Sequence, residues 1–226
     1  MEKLIKKENA IFDILQKFID ARLDFIVVGG YAVSAYKHRF SVDADIVIQS
    51  KDLEKFEGIL KKDKFLLVIE KELDNVYASK FMRYEKDSAS VDILIDALAS
   101  RSTNASFSYN LLADNASKRK IIGIEKEVDA LVSSKEMLIV MKIHSGRLTD
   151  FRDIAALAKD TDIDKIRKFL FIGDLAVIQA NLDKLKKLVM DRNFANSFKG
   201  VFMEKKFDID MKQVEHISDI KEKRES

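Results

Sequence analysis

With 226 residues, 47% of them hydrophobic and 35% charged, the chain has material for one large domain or two small ones around a real core. It has no cysteine, which excludes disulfides and thiolate metal sites, and its three histidines leave little for a structural zinc site. The formal charge of +2 announces no nucleic-acid partner, and no apolar run approaches the roughly 18 residues of a membrane span.

The N-terminal stretch carries Asp13 and Asp20 among its apolar positions and lacks a small-residue cleavage site, so it reads as an amphipathic helix and not a signal peptide. The expected location is the cytoplasm. Residues 7–22 have helical spacing, with Ile11, Leu15, Phe18 and Ile19 on one face. A short apolar strand, 25–28, is broken by Gly29-Gly30, then a helix is predicted over 31–38 and a strand over 44–48. Ser50 suits the N-cap of a helix running to about Lys62, with Asp52 in its first turn. Strands are predicted at 64–70, 77–84 and 90–95, with a further pair of short strands within 118–131.

Beyond that point the pattern becomes helical. Ser133 and Glu136 have capping-box spacing ahead of a helix ending near Ser145, and helices fit 149–159, 163–172 and 174–191. The last 15 residues are polar and read as a solvated helix or a frayed tail. The expected fold class is α/β (α+β): a mixed sheet with flanking helices over residues 1–131, then an α-helical domain over 132–226 with a polar C-terminal tail, the active site lying in a cleft between them.

Two stretches carry chemistry. A buried strand ending in Gly29-Gly30 lets the backbone turn tightly, and the N–H groups opening the next helix suit a phosphate, with Ser34 one turn in. Asp43 and Asp45 stand two apart at the start of a strand and therefore project to one side. Such carboxylates repel unless a cation sits between them, although two surface aspartates before a strand are also common. Asp92 is the one acid inside the apolar run 90–95, and a metal shared with Asp43 and Asp45 would compensate its burial. Asp96, on the same face, competes for that role; Asp92 is preferred because it sits deeper in the strand. Three convergent carboxylates suit hard ions, Mg²⁺ or Mn²⁺, that activate a hydroxyl and neutralise a leaving pyrophosphate.

This pattern resembles the nucleotidyltransferase (polymerase-beta-like) superfamily, whose signature is an apolar strand, a Gly-Gly or Gly-Ser turn, a helix, an Asp-x-Asp pair and a distant third Asp. Within it the chain looks like the AbiEii/AbiGii type of toxin–antitoxin and phage-abortive systems, with Arg39-Phe40-Ser41 in place of Arg-x-Thr. The run from Lys142 through Arg147 to Asp150 and Asp153 is similar to that family's helical half, except that Thr149 replaces a basic residue. The segment Asp191–Phe194 with Ser197–Phe202 is similar to its closing part. The resemblance implies catalytic Asp43, Asp45, Asp92 and Lys142, metal on the three aspartates, and an NTP held by Gly29, Gly30, Ser34, Lys142, Arg147 and Asp150. It also implies transfer of a nucleoside monophosphate to an RNA acceptor, a tRNA 3′ end, by a toxin with a cognate antitoxin. The same chemistry serves small-molecule or protein acceptors, and a non-catalytic nucleotide-binding module is the rival class.

Lys142 is the only charge in 137–143. It either snorkels to the surface or reaches a triphosphate. Arg147, Asp150 and Asp153 read equally as structural ties at a helix junction. Residues 184–206 hold Lys184, Lys186, Lys187, Arg192, Lys199, Lys205 and Lys206 against Asp191 and Glu204, a local excess of five positive charges. With Lys118-Arg119-Lys120 they are either solvated faces or a footprint for a phosphate backbone.

Overall fold

The computed structural model describes residues 2–73, 76–191, 193–198, 202 and 209–222. The chain forms two compact units, residues 1–99 with 106–133 and residues 100–105 with 134–226.

In chain order the first unit contains α1 (Glu2–Asp20), β1 (Ile26–Val28), α2 (Gly29–Ser34), β2 (Asp43–Ile48), a 3-10 turn at Ser50–Asp52, α3 (Leu53–Lys62), β3 (Leu66–Glu72), β4 (Lys80–Lys86) and β5 (Ala89–Ile95). A two-stranded pair follows, β6 (Ala97–Ser100) and β7 (Ala105–Ser108), then α4 (Tyr109–Asp114), β8 (Ala116–Ile122) and β9 (Glu127–Ser133). Seven strands make one mixed sheet in the order β3-β4-β5-β2-β1-β9-β8. The expected α/β class with a mixed sheet and flanking helices is what forms.

The central strands read as continuous apolar runs because both of their faces are covered. Ile26, Val27 and Val28 are fully buried. Helix α1 lays Ile11, Ile14, Leu15 and Phe18 against the sheet, and Phe18 meets Phe25 and Phe56 edge-on at 5.9 and 4.8 Å.

Boundaries move for physical reasons. Helix α2 begins at Gly29 itself and ends at Ser34, shorter than the predicted 31–38. Ser50 does not cap α3; its N–H donates to Asp96 Oδ1 at 2.8 Å while Asp52 takes the N-cap position. Strand β9 runs on through Ser133, so the cap of the next helix falls to Ser134, whose hydroxyl accepts the Met137 N–H.

The second unit contains α5 (Lys135–Ser145), α6 (Leu148–Leu157), α7 (Ile163–Leu170), α8 (Leu175–Met190) and α9 (Met211–Ser218). Helix α5 is buried from Met137 through His144, so it forms the centre of this unit. Helix α9 corrects the expectation of a solvated or frayed tail: Val214 and Ile217 are fully buried, and the Gln213 side chain donates to the Thr161 carbonyl at 2.7 Å. At the other end of α5, His144 is fully buried, with Nδ1 at 2.7 Å from Thr103 Oγ1 and Nε2 at 3.0 Å from the Leu170 carbonyl. A carbonyl only accepts, so Nε2 carries the proton and Nδ1 accepts from Thr103.

Burial lowers the His144 pKa to about 4. The unfolded chain therefore takes up a proton near pH 6.5 that the folded chain refuses until about pH 4. His144 stabilises the fold fully above pH 6.5, and that contribution, on the order of 3 kcal/mol, is lost as pH falls from 6.5 to 4. Urea unfolding at pH 7 and pH 4.5 should show this loss in the wild type and a clearly smaller one in His144→Gln. Equal losses in both proteins would remove His144 as the cause.

Candidate active site

Strand β2 opens with Asp43, and the alternation of side chains sends Asp43 and Asp45 to the same face. Strand β5 lies parallel to β2, with Asp43 beside Ser90 and Asp45 beside Asp92. Next to β5, antiparallel β4 sets Arg83 beside Asp92, and next to β2, antiparallel β1 sets Val28 beside Asp45. One row of the sheet therefore reads Arg83, Asp92, Asp45, Val28, with Asp43 two residues along. The structure brings the three predicted acids together on two neighbouring strands.

Arg83 grips Asp92 with two hydrogen bonds, Nε to Oδ1 and Nη2 to Oδ2, both 2.6 Å, and Nη2 also reaches Asp43 Oδ2 at 3.3 Å. The Asp92 side chain is only 6% exposed. Burial raises its carboxyl above the usual range, opposed by the Arg83 guanidinium. The same contact to Asp92 raises the pKa of Arg83, so the guanidinium stays charged throughout. Asp96 lies beyond the strand, in the left-handed region at φ 66, with Oδ1 accepting from the Ser50 N–H and Oδ2 from the Ser79 hydroxyl.

Asp45 turns the other way, toward the start of α2. Gly29 has φ 63, and a Cβ there would stand 1.9 Å from Asp45 Oδ2. At Gly30 a Cβ would stand 2.1 Å from Ser41 Oγ. Both glycines are thus required by what packs against them. The loop before β2 is held in turn by the Tyr31 hydroxyl, which donates to the Ser41 carbonyl at 3.1 Å, and by Ser41 Oγ, which donates to the Asp43 carbonyl at 3.2 Å. Ser34 is buried, and its hydroxyl donates to the Ile122 carbonyl at 2.8 Å.

Neither Arg83 nor Tyr31 stands out in the sequence, and Ser41 does so only within Arg39-Phe40-Ser41. Arg83 had a usable signal: Lys86 pairs with Ala89 around the two-residue turn Asp87-Ser88, and counting outward from that turn puts Arg83 opposite Asp92.

Do these residues fit a divalent ion? The donors are all hard carboxylate oxygens, suited to Mg²⁺ or Mn²⁺. Yet among the described residues no group of three or more His, Cys, Asp or Glu is gathered closely enough to hold a metal. Asp92 lies against Arg83 and Asp45 against Gly29, on opposite flanks of the two strands. The chemistry of the three acids fits such an ion, but their side chains are not gathered around one point: Asp43 and Asp92 lie toward Arg83 and Asp45 toward Gly29.

The fold is the nucleotidyltransferase fold. The antibiotic-resistance factor ANT(2'')-Ia superposes with a TM-score of 0.55 at 14% identity, over 81% of this chain and 97% of that one. The lincosamide antibiotic adenylyltransferase LnuA, in its lincomycin-bound structure, gives 0.47 at 18% identity over 68% and 98% of the two chains. JHP933 from Helicobacter pylori gives 0.49 at 15% identity over 96% and 90%. At 14% identity the likeness to ANT(2'')-Ia is one of fold. The chain matches no protein-family model and no curated protein.

The remaining predicted site residues belong to the second unit. Lys142 does not snorkel. Its side chain is 8% exposed, and Nζ lies 3.0 Å from Asp150 Oδ1 and 2.6 Å from Asp153 Oδ2, both carboxylates being 1% exposed. Arg147 adds its Nε to Asp150 Oδ2 at 2.7 Å, and its backbone N–H caps α6 on the same oxygen at 3.3 Å. Burial pushes the Asp150 carboxyl up, but the Lys142 ammonium and the Arg147 guanidinium outweigh it and hold the pKa at about 2. On α8, Lys186 pairs with Asp219 at 2.7 Å. Arg192, Lys199, Lys205 and Lys206 of the basic stretch lie outside the described residues, as does part of the closing segment.

Replacing Lys142 with Met leaves two buried carboxylates short of a counter-ion, so the fold should lose about 3–5 kcal/mol in urea titration. Adding Asp150→Asn and Asp153→Asn to Lys142→Met should restore much of it. An unchanged midpoint in the single variant would show that the network contributes nothing to stability.

Proposed function

We propose that this chain is a nucleotidyltransferase, dependent on Mg²⁺ or Mn²⁺, that moves a nucleoside monophosphate from an NTP to an acceptor hydroxyl. The observation that carries the reading is the register of Asp45 with Asp92, with Asp43 on the same strand face, at the centre of a nucleotidyltransferase fold. The acceptor oxygen forms a bond to the α-phosphorus, the bond from that phosphorus to the bridging oxygen breaks, and pyrophosphate leaves. Asp92, whose burial raises its proton affinity, takes the hydroxyl proton. An ion held by Asp43, Asp45 and a released Asp92 would neutralise the charge developing on the phosphates. The close turn at Gly29-Gly30 brings the α2 backbone to the triphosphate. Of the second-unit residues expected at the nucleotide, Arg147 presents its side chain to solvent at 72% exposure, with Lys142 and Asp150 buried behind it.

The favoured acceptor is a small hydroxyl-bearing molecule. The fold likeness spans 97% of ANT(2'')-Ia, an antibiotic-resistance factor. Part of the basic surface is also committed within the fold: Lys186 to Asp219, Lys120 to Glu127, and Arg119 over the Tyr36 ring at 4.1 Å. A second reading, an RNA 3′ end such as that of tRNA and hence a toxin with an antitoxin partner, is favoured by the exposure of Lys118, Arg119 and Lys120 on edge strand β8.

The deciding experiment incubates the protein with each labelled NTP and Mg²⁺, separately with an aminoglycoside and lincosamide panel and with total cellular RNA. Label should appear on a small molecule and disappear in Asp43→Asn/Asp45→Asn, whose melting temperature should hold or rise as repulsion is relieved. Label on RNA, with acceptor affinity falling by about 0.7 log units per log unit of salt for each phosphate neutralised, establishes the second reading. Undiminished transfer by the double variant would end the reading altogether.

A further inference from the structure

We infer that Arg83 is a built-in competitor of the divalent cation, a positioning residue that holds Asp92 and Asp43 until the ion displaces it. The inference rests on the proposed metal-dependent reading and says how that site is loaded. Four observations converge. Arg83 takes both oxygens of Asp92 at 2.6 Å, the fork geometry in which a guanidinium serves a carboxylate best. The same Nη2 reaches Asp43 Oδ2 at 3.3 Å, so one guanidinium touches two of the three acids. Its register position beside Asp92 is fixed by the β4–β5 hairpin, so the contact is built into the sheet. Finally, Asp45 lies against Gly29, across β2 from Arg83, and the three acids are not gathered for chelation among the described residues.

A carboxylate already bridged by a guanidinium offers a divalent ion few remaining lone pairs, and the two cations repel at that separation. Loading therefore requires the Arg83 fork to open or slide off. Arg83 is 30% exposed, so its side chain has solvent into which to move. Without the ion, the same fork holds the buried carboxylate in its rotamer, ready to be taken over.

The test is Mn²⁺ binding to the whole protein, followed by electron paramagnetic resonance at pH 8 without nucleotide. Wild type, Arg83→Lys and Arg83→Met are compared, each also with Asp92→Asn. Affinity should rise from wild type through Arg83→Lys to Arg83→Met, by roughly tenfold for the last, the value of one charge-assisted contact. In the Asp92→Asn background the Arg83 substitutions should lose that effect, because the competition is for Asp92. Added Mn²⁺ should also raise the melting temperature of Arg83→Met more than that of wild type. If Arg83→Met fails to fold, Arg83→Lys carries the comparison. Equal or weaker Mn²⁺ binding by the folded variants overturns the inference while leaving the metal-dependent reading intact. If wild type and every variant fail to bind Mn²⁺, with or without NTP, the reading beneath it falls as well.

Discussion

Asp45 and Asp92 stand side by side on parallel strands about 4.8 Å apart, with Asp43 on the same face. Like charges held at that backbone spacing would repel by about 3 kcal/mol at an effective dielectric near 20. The surroundings of the acids answer that repulsion. On one flank, Arg83 draws Asp92 and Asp43 toward β4. On the other, the chain turns at Gly29 so tightly that Asp45 lies where a side chain would otherwise begin. The loop 39–42 is then pinned to α2 by Tyr31 and Ser41, which fixes where β2 starts and hence which face Asp43 takes. The two glycines, the short helix and the hairpin register are consequences of arranging negative charge on one sheet face.

Much of this is legible in the amino-acid sequence. A lone acid in the apolar run 90–95 singled out Asp92, and the two-residue period singled out Asp43 with Asp45. The choice of Asp92 over Asp96 turned on depth in the strand, and Asp96 indeed falls just past the strand end, tied to Ser50 and Ser79. What escaped notice depended on pairing between segments. Arg83 is one charge among several in an edge-side strand, and only the hairpin register gives it meaning. Ser34 was read for its position one turn into a helix, whereas its hydroxyl is set by Ile122, 88 residues away. Strands β6 and β7 are too short, and too rich in Ala and Ser, to print a period, and helix α4 has only 6 residues. Helix α9 hides two apolar anchors, Val214 and Ile217, among charges that made the segment look solvated.

Lys142 shows how two charge clusters of similar appearance in sequence part company in space. A single lysine in an apolar helix invites two readings, surface escape or ligand contact, because its partners are invisible at helical spacing. They lie 8 and 11 residues on, in the first turns of α6, and the helix–turn–helix between α5 and α6 delivers them to the ammonium. With Arg147 included, the cluster holds two positive and two negative groups and balances. A balanced, buried network has no electrostatic need of a ligand, and its removal costs stability first. In the first unit, by contrast, Asp92 is buried with its proton affinity raised even though Arg83 grips it. A carboxylate whose proton affinity is raised by burial beside a specific charge partner is a candidate for chemistry, whereas one held low by its counter-ions is a structural tie. On that ground Asp43, Asp45 and Asp92 are the groups we propose for chemistry, while Lys142 ties Asp150 and Asp153 of α6 to α5.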